Sequence, residues 1–195
     1  MNCKELRVGF AFCGSFCTMS KALDALEQTA ARFGPVTPIV SETVASTDTR
    51  FGKAHDFMRE MERLCDRRVI STVAGAEPIG PKNLLDVLVI CPCTGNTLAK
   101  LAHGVTDSSV TMAAKAHLRN GKPLVLALAT NDGLAGSAPN LGIMLGRKNV
   151  YFVPFGQDDC VGKPTSLAAD FSLIPETVEA ACRGEQLQPV LLGMG

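Results

Sequence analysis

Leu6, Val8, Phe10 and Phe12 are interleaved with Arg7, Gly9, Ala11 and Cys13, a period of two that predicts a first strand ending at Gly14-Ser15. From Cys17 the period lengthens. Ala22, Leu23, Leu26 and Ala30 share one side of a helix that Gly34-Pro35 terminates. Val36 to Val40 is a short second strand, and the polar loop Ser41 to Gly52 precedes a charged helix from about Lys53 to Arg67. Ile70 to Pro81, punctuated by Gly75, Pro78, Gly80 and Pro81, admits at most short extended pieces. Val87 to Cys91 is apolar throughout, as a central parallel strand covered on both faces must be, and Pro92 is expected to stop it. Two consecutive helices, Asn96 to His103 and Ser108 to Arg119, lead to another buried strand, Pro123 to Ala129. A short helix over Leu141 to Leu145 and a fifth strand over Val150 to Val153 follow. A long loop, Phe155 to Ser166, and a closing helix, Pro175 to Arg183, complete the pattern.

Strands alternating with helices predict the α/β class: a single-domain open parallel sheet in three α/β/α layers, flavodoxin/Rossmann-like. The domain spans residues 1–195, with about 155–195 as a loop and C-terminal helix extension. The pattern does not fix the strand order. An order of 2-1-3-4-5 would reverse direction between strands one and three and place ligands beyond their carboxyl ends.

Lys+Arg and Asp+Glu both number 19, so the formal charge is zero, and 46% of the residues are hydrophobic. That argues against disorder and against a basic nucleic-acid binder. The charged fraction, 19%, lies below the roughly 25% usual for soluble domains, which predicts a surface partly covered in a homo-oligomer. Residues Met1 to Leu6 place charges directly before a short apolar run, without the apolar core or cleavage site of a signal peptide. No apolar run approaches the ~20 residues of a membrane span, so a cytoplasmic protein without membrane contact is expected. The eight cysteines then read as reduced, small packing residues, with a thiol lining a ligand site as the alternative. No cysteine or histidine spacing suits a metal.

Two loops carry candidate chemistry. After strand one, Gly14 permits close backbone approach and Ser15 offers a hydroxyl where a helix begins, a place that suits a phosphate. Neither the three glycines of the dinucleotide fingerprint nor a Walker lysine is present, and a helix cap with a packing glycine reads equally well. After strand three, Thr94, Gly95, Asn96 and Thr97 supply more polar groups than one cap needs, which favours an anion site. His55, His103 and His117 each stand alone in a helical stretch and read as structural rather than as proton carriers.

The run Asp86 to Cys91, continued by Pro92-Cys93-Thr94-Gly95-Asn96-Thr97-Leu98-Ala99-Lys100 and on to Asp107, resembles the Pro-Ala-Ser-Ala-Asn-Thr region of the homo-oligomeric flavin-containing cysteine decarboxylase superfamily. Gly9 to Ser15 resembles its first phosphate loop and Val40-Ser41 its second flavin-contacting segment. Within the superfamily, Gly14-Ser15-Phe16-Cys17-Thr18, Phe155 to Asp159, Gly162-Lys163-Pro164 and Leu187 to Leu191 resemble the dipicolinate synthase B-subunit family.

The resemblance implies FMN as cofactor. Ser15, Thr94, Asn96 and Thr97 would hold its phosphate or ribityl chain, with Gly14 and Gly95 beside them, while Ser41 and Asn131 would approach the ring. It also implies a partner, an NAD(P)-binding A subunit, together with oxidation of a dihydrodipicolinate-type ring to dipicolinate in the mother cell of a spore-forming bacterium. A dicarboxylate substrate wants cations, for which Arg50, Lys53 and Lys163 are candidates, although each reads equally as a solvated surface charge. The decarboxylases' histidine is missing from Ala76 to Pro81. Of their Pro-x-Met-Asn-x-x-Met-Trp clamp, Leu128 to Ala135 keeps only Asn131. A non-catalytic structural or substrate-binding subunit with a vestigial flavin pocket is therefore the main alternative; a flavin-dependent decarboxylase or flavin prenyltransferase is a third.

Overall fold

The computed structural model of the chain describes residues 6–193. The reading of the amino terminus over residues 1–5 lies outside them. The strands are β1 (Val8–Phe12), β2 (Thr37–Val40), β3 (Val87–Cys93), β4 (Leu124–Thr130), β5 (Val150–Phe152), β6 (Phe155–Gly156) and β7 (Leu167–Ala169). The helices are α1 (Met19–Phe33), α2 (Glu42–Ser46), α3 (Ala54–Cys65), α4 (Val73–Ala76), α5 (Gly95–His103), α6 (Ser109–Leu118), α7 (Ala138–Leu145) and α8 (Ile174–Cys182).

The parallel strands follow the order β2-β1-β3-β4, with β5 beside the first half of β4. The sheet is mixed rather than wholly parallel. At the two ends of the expected loop, β6 and β7 form an antiparallel pair, and β7 joins the second half of β4 through Ala129 and Thr130. These strands of two and three residues owe their existence to pairing, β7 with β4 and β6 with β7, which no local periodicity announces.

Both faces of the sheet are covered. On one, Val8, Phe10 and Phe12 of β1 meet Met19 and Leu26 of α1, Met61 of α3 and Val178 of α8. On the other, Ala11 of β1 and Leu88 and Ile90 of β3 meet Leu98 of α5 and Val110 of α6. The interleaved positions of β1 are thus small and buried rather than polar. At Gly9 an added Cβ would lie 2.5 Å from Leu85 Cδ1.

Pro92 does not end β3. The Cys91-Pro92 peptide is cis, and the strand continues to Cys93 with a register shift against β4 between Ile90 and Cys93. Val87, Val89 and Cys91 face one core, whereas Cys93, which strict alternation would place beside Cys91, faces the other. One extra residue has switched the side to which the chain points, as a bulge does, and α5 starts over that second face.

Two further short helices lie where a polar loop and at most short extended pieces were expected. Ser41 accepts a hydrogen bond from the Val44 N–H and opens α2, and Thr72 accepts from Gly75 and opens α4. Both are too brief for a helical period to register in the sequence.

Candidate functional site

The carboxyl ends of β1, β3 and β4 meet the β6–β7 connection around a cleft of about 970 Å³. This is the switch point that the 2-1-3-4-5 order implies. Gly14, Ser15, Thr94, Gly95, Asn96, Asn131, Arg50 and Lys163 all line it. Ser41, Thr97 and Lys53 do not. Ser41 caps α2, Lys53 occupies the position before α3, and the buried Thr97 accepts a hydrogen bond from the Thr94 hydroxyl at 3.2 Å.

The two loops differ in how their polar groups are used. Thr94 is the cap of α5, its oxygen accepting from the Thr97 N–H at 3.2 Å. The Ser15 side chain caps nothing; its hydroxyl accepts from Thr18 Oγ1 at 3.0 Å and lies 3.9 Å from the exposed Cys17 thiol. Asn96 is exposed, with no side-chain partner among the described residues.

Gly95 and Gly14 also part company. A Cβ at Gly95 would stand 2.6 Å from Ser137 Oγ, 2.8 Å from Thr130 Oγ1 and 2.9 Å from Asp132 Oδ1. A Cβ at Gly14 would meet nothing closer than 3.6 Å. Gly95 is dictated by the protein's own packing, and Gly14 is not.

The group against Gly95 escaped the reading of the sequence. Asp132 accepts from Thr130 Oγ1 at 2.5 Å and from Ser137 Oγ at 2.8 Å, and these bonds hold its carboxyl below the usual carboxylate range. Ser137 N–H also donates to the Asp132 carbonyl, so the turn after β4 is closed upon itself. The available signal was three polar residues, Thr130, Asp132 and Ser137, following an apolar strand.

Arg50 lies over the Phe51 ring at 4.8 Å and has no carboxylate partner among the described residues. Lys163 pairs loosely with Asp158 at 3.7 Å. The Asp158 carboxyl is lowered by a hydrogen bond from Ser166 first and by Lys163 only weakly. Cys13, Cys91 and Cys93 are buried, and desolvation raises all three thiols, Cys13 to about 11; Cys17 is exposed and lines the cleft.

None of the three histidines reaches the cleft. His117 is buried against the Pro123 carbonyl at 2.9 Å, His103 bonds Asn140 at 3.0 Å, and His55 is exposed beside Asp56. Among the described residues no group of His, Cys, Asp and Glu is arranged for a metal ion, and no helix is long and apolar enough to cross a membrane.

The Flavoprotein family model matches residues 2–138. The dipicolinate synthase B subunit of Bacillus subtilis (strain 168) is 43% identical over 189 residues, covering 97% of this chain and 94% of that protein. The crystal structure of the dipicolinate synthase B subunit from Bacillus halodurans C superposes with a TM-score of 0.91 at 44% identity over the whole of both chains. An FMN-dependent cysteine decarboxylase, SpaF, shares the fold with a TM-score of 0.65 at 20% identity, over 91% of this chain and 98% of its own. The chain belongs to the flavoprotein family, and within it to the dipicolinate synthase B subunits.

Proposed function

We propose that this chain binds FMN in the cleft and serves as the B subunit of a dipicolinate synthase, oxidising a dihydrodipicolinate-type ring to dipicolinate with an NAD(P)-binding A subunit. The reading rests on one observation: loops from two separate strand ends, Gly14-Ser15 and Thr94 to Asn96, border a single cleft large enough for a cofactor and a small substrate. The residues suit the group. The Ser15 hydroxyl, held only by Thr18 and a long contact to Cys17, and the Asn96 amide can donate to phosphate, and Gly14 leaves room for backbone approach that its own packing does not require. FMN, when bound, supplies a two-electron acceptor.

The chain's own residues bind and orient. Arg50, free of carboxylates and steadied on Phe51, would take one substrate carboxylate, and Lys163 the other on release from Asp158. Asn131 lines the cleft and would approach the flavin ring, and the turn closed by Asp132 fixes its backbone. The implied setting is the cytoplasm of the mother cell of a sporulating bacterium. The vestigial-pocket reading keeps two observations in its favour: no histidine lines the cleft, and the Asp132 carboxylate is committed to two hydroxyls.

The visible absorption spectrum of the freshly purified chain, before and after addition of FMN, decides between them. A flavin spectrum is expected, with affinity weakened roughly tenfold or more in Ser15→Ala and Asn96→Ala, the loss of one hydrogen bond to a charged group each. A colourless protein that refuses FMN overturns the flavin site. Separately, co-elution of this chain with the purified A subunit is expected, together with a faster rate of dipicolinate formation than the partner reaches unaided. Independent elution with an unchanged rate overturns the partnership.

A further inference from the structure

A second concavity lies apart from the cleft, with no lining residue in common. This groove of about 500 Å³ runs between the end of α5 with the loop after it, one flank of α6, and the turn from α7 to β5. Leu101, Val105 and Leu118 form its apolar part.

Its charge is one-sided. Lys100, Lys115, Arg119, Arg147 and Lys148 line it, and no Asp or Glu does. Lys100 is neutralised by Asp107 at 2.9 Å. The other four have no carboxylate partner among the described residues. Arg147 donates to the Leu101 carbonyl at 2.8 Å, which anchors its guanidinium at the groove without discharging it.

Cations in the last turn of α6 are favoured by the helix dipole, which accounts for Lys115 and Arg119 singly. It does not account for their spacing of four residues, which sets like charges side by side, nor for Arg147 and Lys148 on the opposing wall. In a chain whose formal charge is zero, four unpaired cations around one concavity form a local excess that a bound anion would relieve.

We propose that this groove binds a small polyanion of about mononucleotide size. Lys115, Arg119, Arg147 and Lys148 take its phosphate or carboxylate groups, and Leu101, Val105 and Leu118 take its apolar body. A concavity of this volume with an apolar floor suits a compact ligand better than an extended acidic peptide. The assignment stands on the groove alone, whatever the cleft binds.

Calorimetric titration of the full chain with ADP, with inorganic pyrophosphate and with citrate tests it and separates phosphate from carboxylate ligands. At least one probe should bind at one site per chain and weaken as salt rises. Its affinity should fall at least tenfold in Arg147→Gln and in the double variant Lys115→Gln/Arg119→Gln. All three residues are exposed, and an unchanged thermal midpoint shows that each variant keeps the fold; the double variant, which breaks no contact to the Leu101 carbonyl, tests the proposal even if Arg147→Gln loosens it. Ser15→Ala should leave this binding unchanged. If none of the three probes binds, or if binding is lost in Ser15→Ala and untouched by the groove variants, the proposal is overturned.

Discussion

Gly95 and Gly14 sit in similar strand-to-helix turns and are glycine for different reasons. At Gly95, any side chain collides with the Thr130, Asp132 and Ser137 oxygens, so Gly95→Ala must force apart a cluster that closes the β4 turn. We expect a loss of about 1–3 kcal/mol in denaturant unfolding. At Gly14 the nearest atoms allow an ordinary methyl contact, so Gly14→Ala should unfold at the wild-type midpoint while binding FMN at least tenfold more weakly. Equal destabilisation by both changes would refute the distinction. The glycines themselves were legible in the sequence; their reasons were not, because the group against Gly95 comes from another strand. Ser41 and Thr97 show the converse, since a polar residue beside a ligand loop can be spent on capping or on a neighbour and never reach the cleft.

The parallel strands and the longer helices could be read directly, because apolar runs and a helical period are local properties. What escaped was set by partners distant in sequence: β7 pairs with β4 and β6 with β7, and β3 continues through Pro92 with a shift of register against β4. The junction between α6 and β4 carries a pH dependence that rests on burial. His117 is buried where it donates to the Pro123 carbonyl, and desolvation, aided by Lys122, lowers its pKa to about 4 from the ordinary 6.5. Between those values the unfolded chain binds a proton that the folded chain refuses. This contribution therefore falls as the pH drops from 6.5 to 4 and changes no further below. It amounts to about 3 kcal/mol at most. Urea unfolding at pH 7 and pH 4.5 should show it, and His117→Gln should flatten that interval. Identical slopes in the two proteins would assign the pH dependence elsewhere.

At the scale of the molecule, several large apolar side chains stand exposed at the rim of the cleft. Phe51, 46% exposed, lines the cleft, and Val161, 90% exposed, stands one residue from the lining Gly162. Leu134, 52% exposed, is tied by its N–H to the Thr165 carbonyl of the same rim. Large side chains left in water around a ligand site are the expected mark of a surface that another chain covers. The occupant we expect is a second copy, since the chain carries no net charge to hold copies apart. Sedimentation of the full chain should then give a multiple of the monomer mass, and Phe51→Ser/Val161→Ser should shift it toward the monomer. Because these residues border the cleft, assembly and cofactor binding would be linked: dilution that dissociates the oligomer should weaken FMN binding, and FMN should hold the oligomer together at concentrations where the apo chain falls apart. A wild-type monomer at tens of micromolar would instead leave this rim to a different protein, and an oligomer whose FMN affinity ignores dilution would separate the interface from the site.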